Sequence, residues 1–202
     1  MATIFVVHAL VIMTGIAPIN GYVSSMLRSS AALSADEYTV AFGVCQLAGA
    51  CVSPFVIERC DRRTLLMASL LAMGLAHGCT AALYALRWDT SPHFPWLIFA
   101  TVTAYSTTFA LNFPIMFIIR SELLPTSVRA IGGSLGIMTD SVVAFATAWL
   151  YTPVAARYGM QYNFLFYSAS SFLGIIYVFL LLPETRGRSL VDIEKSLKNR
   201  PT

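Results

Sequence analysis

Six long apolar stretches constrain this chain more than any other feature of its sequence. Five contain no Asp, Glu, Lys or Arg, and the other contains a single acid, Asp140. A helix needs about 20 apolar residues to cross the hydrocarbon core of a bilayer. The stretches therefore predict six membrane-spanning helices, at residues 3–27, 38–57, 64–86, 94–119, 130–156 and 164–182.

The composition also indicates a multi-pass membrane protein in a lipid bilayer. Hydrophobic residues make up 57% of the 202 residues and charged residues 11%, with a mean hydropathy of +0.70, whereas a soluble domain has about 25% charged residues. We expect one all-α unit at residues 1–183, followed by a tail at residues 184–202. No basic segment precedes the first stretch, so it is predicted to be a span rather than a removable signal peptide.

The charges between the stretches predict an orientation. Three basic residues, Arg28, Arg87 and Arg157, follow the odd-numbered stretches. Ten follow the even-numbered ones: Arg59, Arg62, Arg63, Arg120, Arg129, Arg186, Arg188, Lys195, Lys198 and Arg200. Because basic loops stay on the cytoplasmic side, both chain ends are expected to be cytoplasmic, and we expect the plasma membrane as the location.

Several function classes find no support in the sequence. The four cysteines form no C-x-x-C pair, and no Gly-rich phosphate loop, G-x-S-x-G or H-E-x-x-H motif occurs. A net charge of +3, without a basic patch interleaved with aromatic residues, does not indicate nucleic-acid binding. We therefore expect neither an enzyme nor a metal or cofactor site.

Three charged segments carry a family resemblance. They are ERCDRR (58–63), RSELLPTSVR (120–129) and LPETRGRSL (182–190). Their order and spacing resemble the C-terminal six-helix half of a sugar-porter-type transporter of the major facilitator superfamily, over residues 1 to about 195. The resemblance implies a small-molecule solute as substrate. It also implies an N-terminal six-helix half, either because the chain is a fragment or because it pairs with another half.

The resemblance further implies a cytoplasmic gate, in which arginines and glutamates pair across helix ends. Its members are expected to be Glu58, Arg62, Arg63, Glu122, Arg129, Glu184 and Arg186. Among them, we expect Arg63, Glu122 and Arg129 to hold the gate closed. Asp61 stands where the family usually has glycine, which adds an acid to this cluster.

Hinges are predicted where glycine or proline interrupts a span. Gly15, Pro18 and Gly21 interrupt the first span, and Pro114 interrupts the fourth. A broken backbone at membrane depth is tolerated where it faces a cavity or neighbouring helices. The alternative is that glycine and proline are simply common in membrane helices.

The family's sugar-binding positions are largely replaced in this chain. By the resemblance, three amide positions fall on Val11, Ile12 and Ala17, and a fourth keeps its amide at Gln46. Since an unpaired buried hydroxyl costs about 1–3 kcal/mol, losing these partners argues against an ordinary hexose. The remaining candidates for the substrate cavity are Gln46, Phe109, Asn112, Phe117 and Asp140, where Phe109 replaces an acid, Phe117 a tryptophan and Asp140 an asparagine.

These replacements predict an apolar, aromatic cavity with a single negative charge. Such a cavity suits a hydrophobic solute with an amine or a cation, or proton coupling through Asp140. The alternative for Asp140 is a protonated acid bonded to a neighbouring helix, and Gly132, Gly133 and Gly136 offer a close-packing face on the same helix.

We therefore expect a solute transporter of the sugar-porter type whose substrate need not be a hexose. Two alternatives stay open, an organic-cation carrier and a transport-incompetent membrane protein with a regulatory role. The retained Gln46 and the costly Asp140 favour a working transporter.

Overall fold

The computed structural model describes residues 2–27, 35–86, 93–124 and 128–182, and this part of the chain is helical with short connections. Its seven helices are α1 (Ala2–Ile12), α2 (Ile16–Leu27), α3 (Ala35–Arg59), α4 (Arg62–Ala85), α5 (Phe94–Leu123), α6 (Arg129–Tyr158) and α7 (Met160–Leu181). Together α1 and α2 make the first span, so the described residues contain six helices long and apolar enough to cross a membrane. The prediction of an all-α, six-span protein is confirmed.

The six predicted spans correspond in order to the observed helices. Several helices extend past the predicted limits, because helical hydrogen bonding continues beyond the last apolar residue into the charged ends. Helix α5 extends past its predicted limit to Leu123 and so includes Arg120, which was expected in a connection. The tail at residues 184–202 lies outside the described residues.

A glycine breaks the first span between α1 and α2. Gly15 has a φ of +94°, in the left-handed region that side chains with a Cβ disfavour. A Cβ at this position would lie 2.7 Å from the ring of Tyr167 in α7. The interruption predicted near Gly15 is therefore present, whereas Pro18 and Gly21 lie within α2.

The predicted interruption at Pro114 is wrong, because α5 runs through this residue without a break. A proline removes one backbone hydrogen bond from the helix. In a membrane helix, packing against neighbours and adjustment of the local backbone hold the remaining turns together.

The bundle is built around α4, which packs against α5 and α7. Fully buried side chains from these three helices form its centre, namely Leu66, Leu70, Met73, Tyr105, Ile115, Phe164 and Tyr167. The least buried spans are α3 and α6. Along α6, Ile131, Met138, Val142 and Phe145 are exposed, so this side of the bundle offers apolar surface to lipid or to another helix.

Candidate functional site

A cavity of about 500 Å³ lies where α2, α3 and α5 meet. We call it the amide cavity, because Asn20 and Gln46 are its polar side chains among the described residues. Its lining consists of Ile12, Ile16, Asn20, Gly43, Gln46, Leu47, Ala50, Phe109, Ala110, Phe113 and Pro114. Two predicted cavity residues, Gln46 and Phe109, are therefore brought together, and Ile12 replaces a family amide in the same wall.

Asn20 was missed by the sequence analysis. It lies in α2, three residues after Ala17, the position at which the resemblance places a lost amide. Residues three apart on a helix are neighbours on one face. This spacing could have predicted that the amide lost at position 17 is replaced by one on the same helix face, at Asn20.

Four aromatic rings run along α5 from the protein core past the amide cavity. Their centroids are 6.2 Å apart from Tyr105 to Phe109, 5.9 Å from Phe109 to Phe113, and 5.0 Å from Phe113 to Phe117. The i, i+4 spacing places them on one helix face. Phe117, predicted for the same cavity as Gln46, instead lines a second cavity at the other end of this row.

The second cavity, of about 400 Å³, lies between α5 and α6, and we call it the arginine cavity. It is lined by Phe117, Ile118, Arg120, Ser121, Leu124, Arg129, Gly133 and Ile137. Arg120 and Arg129 therefore share this cavity, and the described lining contains no acid.

Asp140 lies beside the arginine cavity in a buried charge cluster with His8 and Arg120. Nη2 of Arg120 donates to Oδ2 of Asp140 at 2.5 Å. Nδ1 of His8 lies 3.5 Å from the same carboxylate oxygen and also contacts Nη2 of Arg120. Nε2 of His8 donates to the carbonyl of Met116 at 3.0 Å, which leaves Nδ1 to accept from Arg120. The cluster joins α1, α5 and α6.

The charge cluster is well shielded, since the side chains are 2% exposed at His8, 4% at Arg120 and 17% at Asp140. Gly136 makes room for it, because a Cβ there would lie 2.5 Å from the guanidinium carbon of Arg120. The guanidinium carbon also lies 5.3 Å from the ring centroid of Phe117.

The predicted cavity lined by both Gln46 and a single acid is not observed among the described residues, because Asp140 pairs with Arg120 and lies outside the amide cavity. Arg120 was expected in the cytoplasmic connection, and its contact with His8 was not anticipated, because the packing of α1, α5 and α6 brings together residues far apart in the chain. The glycines at positions 132, 133 and 136 of α6 were the sequence feature that could have predicted this contact. Glycines on one helix face allow a large side chain from a neighbouring helix to lie across them.

Asn112 does not join the predicted site. It is fully buried and lines a third cavity of about 170 Å³, together with Ser69, Thr108 and others. Its amide atoms have no hydrogen-bond partner among the described residues. The prediction of Asn112 as a neighbour of Gln46 fails because the two residues line different cavities.

One ion pair of the predicted cytoplasmic gate is present. Nη2 of Arg62 lies 2.9 Å from Oε1 of Glu122, joining the start of α4 to the end of α5. The expected partner, Arg63, donates instead to the carbonyl of Phe179 at 2.5 Å, because successive residues of a helix point in different directions. Arg129 donates to the carbonyl of Leu124 at 3.4 Å.

The other predicted gate residues are Glu58, Glu184 and Arg186. Glu58 is exposed near the end of α3, and Glu184 and Arg186 lie outside the described residues.

Comparison with known proteins places this fold and these segments in one family. The family model described as "Sugar (and other) transporter" matches residues 1–197. Sugar transporter ERD6-like 6 of Arabidopsis thaliana is 26% identical over 198 residues, which are 92% of this chain and 40% of that protein. Facilitated trehalose transporter Tret1 of Drosophila yakuba is 27% identical over 166 residues, which are 80% of this chain and 19% of that protein.

Solved structures agree in fold. The xylose transporter XylE from E. coli, in its inward-open conformation, has a TM-score of 0.75 at 17% identity, covering 97% of this chain and 42% of that one. The proton:xylose symporter XylE, a major facilitator superfamily protein, bound to 6-bromo-6-deoxy-D-glucose has a TM-score of 0.81 at 18% identity, covering 96% and 42%. This chain spans less than half the length of these relatives. It is a multi-pass membrane protein that belongs to the sugar (and other) transporter family and has the fold of one six-helix half of such a transporter.

Proposed function

We propose that this chain forms the carboxy-terminal half of a solute transporter of the sugar-porter type. It works with an amino-terminal six-helix half, and the solute passes between the two halves. The family match over residues 1–197 and the limited coverage of the longer relatives support this proposal. The exposed apolar surfaces of α3 and α6 supply helix faces for a second half.

The single observation that carries the choice of substrate is the 2.5 Å contact between Arg120 and Asp140. A carboxylate already paired with a guanidinium has little charge left to attract an organic cation, which would have to displace Arg120. A neutral solute meets no such penalty. The proposal therefore favours a neutral solute over the organic-cation alternative.

A second candidate, proton coupling, is favoured by the position of His8. Its Nδ1 lies 3.5 Å from Asp140, so a titratable ring and a carboxylate share one buried site. A proton arriving at this site changes the balance of charge around Arg120. The charge cluster that disfavours an organic cation would then also couple solute movement to protons.

We further propose that the protein lies in the plasma membrane with both chain ends in the cytoplasm, as the distribution of basic residues indicates. The Arg62–Glu122 pair then lies on the cytoplasmic side and stabilises the closed inner gate. The gate pair and the charge cluster each include one residue of α5, Glu122 and Arg120, so this helix links them.

Uptake by cells tests the proposal. The chain is produced alone and joined to an amino-terminal six-helix half. Uptake of a labelled neutral sugar, a polyol and tetraethylammonium is then measured between about pH 5.5 and 8, on both sides of neutrality. We expect uptake of a neutral solute only when both halves are present. Uptake restricted to tetraethylammonium, or no uptake of any solute by the joined protein, contradicts the proposal.

Variants of the charge cluster distinguish proton-coupled transport from facilitated transport. If His8 takes part in proton coupling, His8→Gln should flatten the pH profile of uptake while uptake at a fixed pH persists. Ser141→Ala, which changes an exposed neighbour of Asp140 on α6, is the control. A wild-type profile that is already flat assigns the protein to facilitated transport.

A further inference from the structure

The amide cavity has an uneven distribution of polar groups. Of the eleven described lining residues, Asn20 and Gln46 have polar side chains and none is charged. The same lining also contains the rings of Phe109 and Phe113 on α5, with centroids 5.9 Å apart. A volume of about 500 Å³ falls within the range of about 300–1,000 Å³ typical of small-molecule sites.

Two prolines leave backbone carbonyls of cavity-lining residues without a helical donor. Pro54 lies inside α3 and Pro114 inside α5. A proline has no N–H to donate to the carbonyl four residues earlier, and these carbonyls belong to Ala50 and Ala110. Both alanines line the amide cavity, so two backbone acceptors lose their helical partner at this site.

We infer that the amide cavity binds a neutral amphipathic solute, a hydroxyl-bearing ring joined to an apolar ring, as in an aryl glycoside. Asn20 and Gln46 donate to and accept from the hydroxyl groups, and the carbonyls of Ala50 and Ala110 accept from them. The apolar ring packs on Phe109 and Phe113. The inference rests on the proposed transport function and assigns Asn20 a new role as a specificity-determining residue.

The chemistry of the lining excludes the obvious competitors. A free hexose can place only a C–H face against Phe109 and Phe113 and buries less apolar area there than a phenyl ring does. A quaternary ammonium finds aromatic faces but no acid in the described lining. A solute with one polar end and one apolar end can form hydrogen bonds with the amides and pack against the aromatic rings.

Binding to the complete transporter that contains this chain tests the inference without requiring transport. Thermal stabilisation in detergent is measured with phenyl β-D-glucoside, with D-glucose and with phenyltrimethylammonium. We expect phenyl β-D-glucoside to stabilise the protein at a concentration about tenfold or more below that of D-glucose, since burial of a phenyl ring adds more than the 1.4 kcal/mol that a factor of ten requires. Equal concentrations for the two sugars, or tighter binding of phenyltrimethylammonium, overturn the inference.

Two kinds of variant test the polar and the aromatic lining residues separately. Asn20→Leu and Gln46→Leu should each weaken binding of phenyl β-D-glucoside by about twofold to tenfold, the value of one hydrogen bond. Phe113→Ala should weaken binding of phenyl β-D-glucoside by a similar factor and leave binding of D-glucose unchanged. Because Asn20 and Phe113 are exposed, these changes leave the core intact.

Gln161→Leu provides the matched control, because it removes an amide at the start of α7, outside the amide cavity. If Asn20→Leu has no more effect than Gln161→Leu, Asn20 is not a binding residue and the inference fails. If phenyl β-D-glucoside binds as expected but the wild-type protein transports no solute, the proposed function fails while the inference stands.

Discussion

At the scale of single residues, Arg120 and Asp140 depend on each other. Each is a charge inside a helix long and apolar enough to cross a membrane. If one is removed, the other loses its opposite charge. Breaking a buried ion pair by changing one partner typically costs about 3–5 kcal/mol, whereas replacing both partners is often neutral.

The first prediction follows from this dependence. Asp140→Asn and Arg120→Met should each lower the thermal unfolding midpoint of the purified protein, and the double variant should recover most of the loss. A double-mutant cycle in detergent measures the coupling between the two residues. If the two effects simply add, the contact at 2.5 Å does not contribute to stability.

The second prediction concerns the glycines of α6. A Cβ at Gly136 would meet the guanidinium of Arg120 at 2.5 Å, whereas a Cβ at Gly133 would meet no heavy atom within 4 Å. Gly136→Ala should therefore destabilise the protein by about 1–3 kcal/mol, the usual cost of overpacking. Gly133→Ala should be neutral or slightly stabilising, because alanine is the better helix former. Equal unfolding midpoints for the two variants would contradict the observed path of Arg120.

At the scale of helices, the break between α1 and α2 is held by Gly15, which combines a positive φ with contact to Tyr167. A break fixed from both the backbone and a neighbouring helix is a defined structural feature rather than a loosely packed segment. Its sequence signal was the glycine itself.

The third prediction uses two glycines of the first span. Gly15→Ala should cost about 1–3 kcal/mol, from the left-handed backbone together with overlap with the Tyr167 ring. Gly21→Ala, within α2 and without any heavy atom within 4 Å of its added Cβ, should be tolerated. Thermal unfolding compares the two variants. If Gly21→Ala destabilises the protein as much as Gly15→Ala does, the helix break at Gly15 is not the reason for the destabilisation.

The fourth prediction concerns the ends of α4 and α5. The Arg62–Glu122 pair, with side chains 21% and 27% exposed, is expected to contribute about 0.2–1 kcal/mol. Cys60 is an exposed cysteine two residues before Arg62. In a variant whose other cysteines are alanine, Glu122→Arg should make Cys60 react faster with a maleimide. Adding Arg62→Glu should partly restore the slow rate.

Arg157→Glu, a charge reversal at the far end of α6, serves as the control for that experiment. Independent, additive effects of Glu122→Arg and Arg62→Glu on the reactivity of Cys60 would remove this pair from the gate.

At the scale of the whole molecule, the fifth prediction concerns orientation. Tags at residues 60, 125 and 200 should be protected in intact cells, because the basic connections stay in the cytoplasm. Tags near residues 33, 91 and 160 should be reached by an antibody from outside. External labelling at residue 125 would contradict the six-span arrangement.

The fold was predictable from the sequence because the bilayer imposes a local requirement, a run of about 20 apolar residues for each span. The candidate site was predictable only in part. Gln46 and Phe109 share a cavity as expected, since the helices that hold them pack as in the family. Arg120, His8 and Asn112 were misjudged, because which buried polar groups meet depends on helix rotation and on residues such as Gly136, which hydropathy does not report.

The pairing of Arg120 with Asp140 also bears on how the protein is made. A span carrying Asp140 enters the membrane at a cost of about 2.5–3.5 kcal/mol when it enters alone. Only residues 124–128 separate α5 from α6, and a connection this short keeps the two helices together as an antiparallel hairpin. If both leave the translocon as one hairpin, the guanidinium neutralises the acid before either helix faces lipid alone. We therefore expect the neutral pair to lower the cost of inserting the fifth span as well as to stabilise the finished bundle.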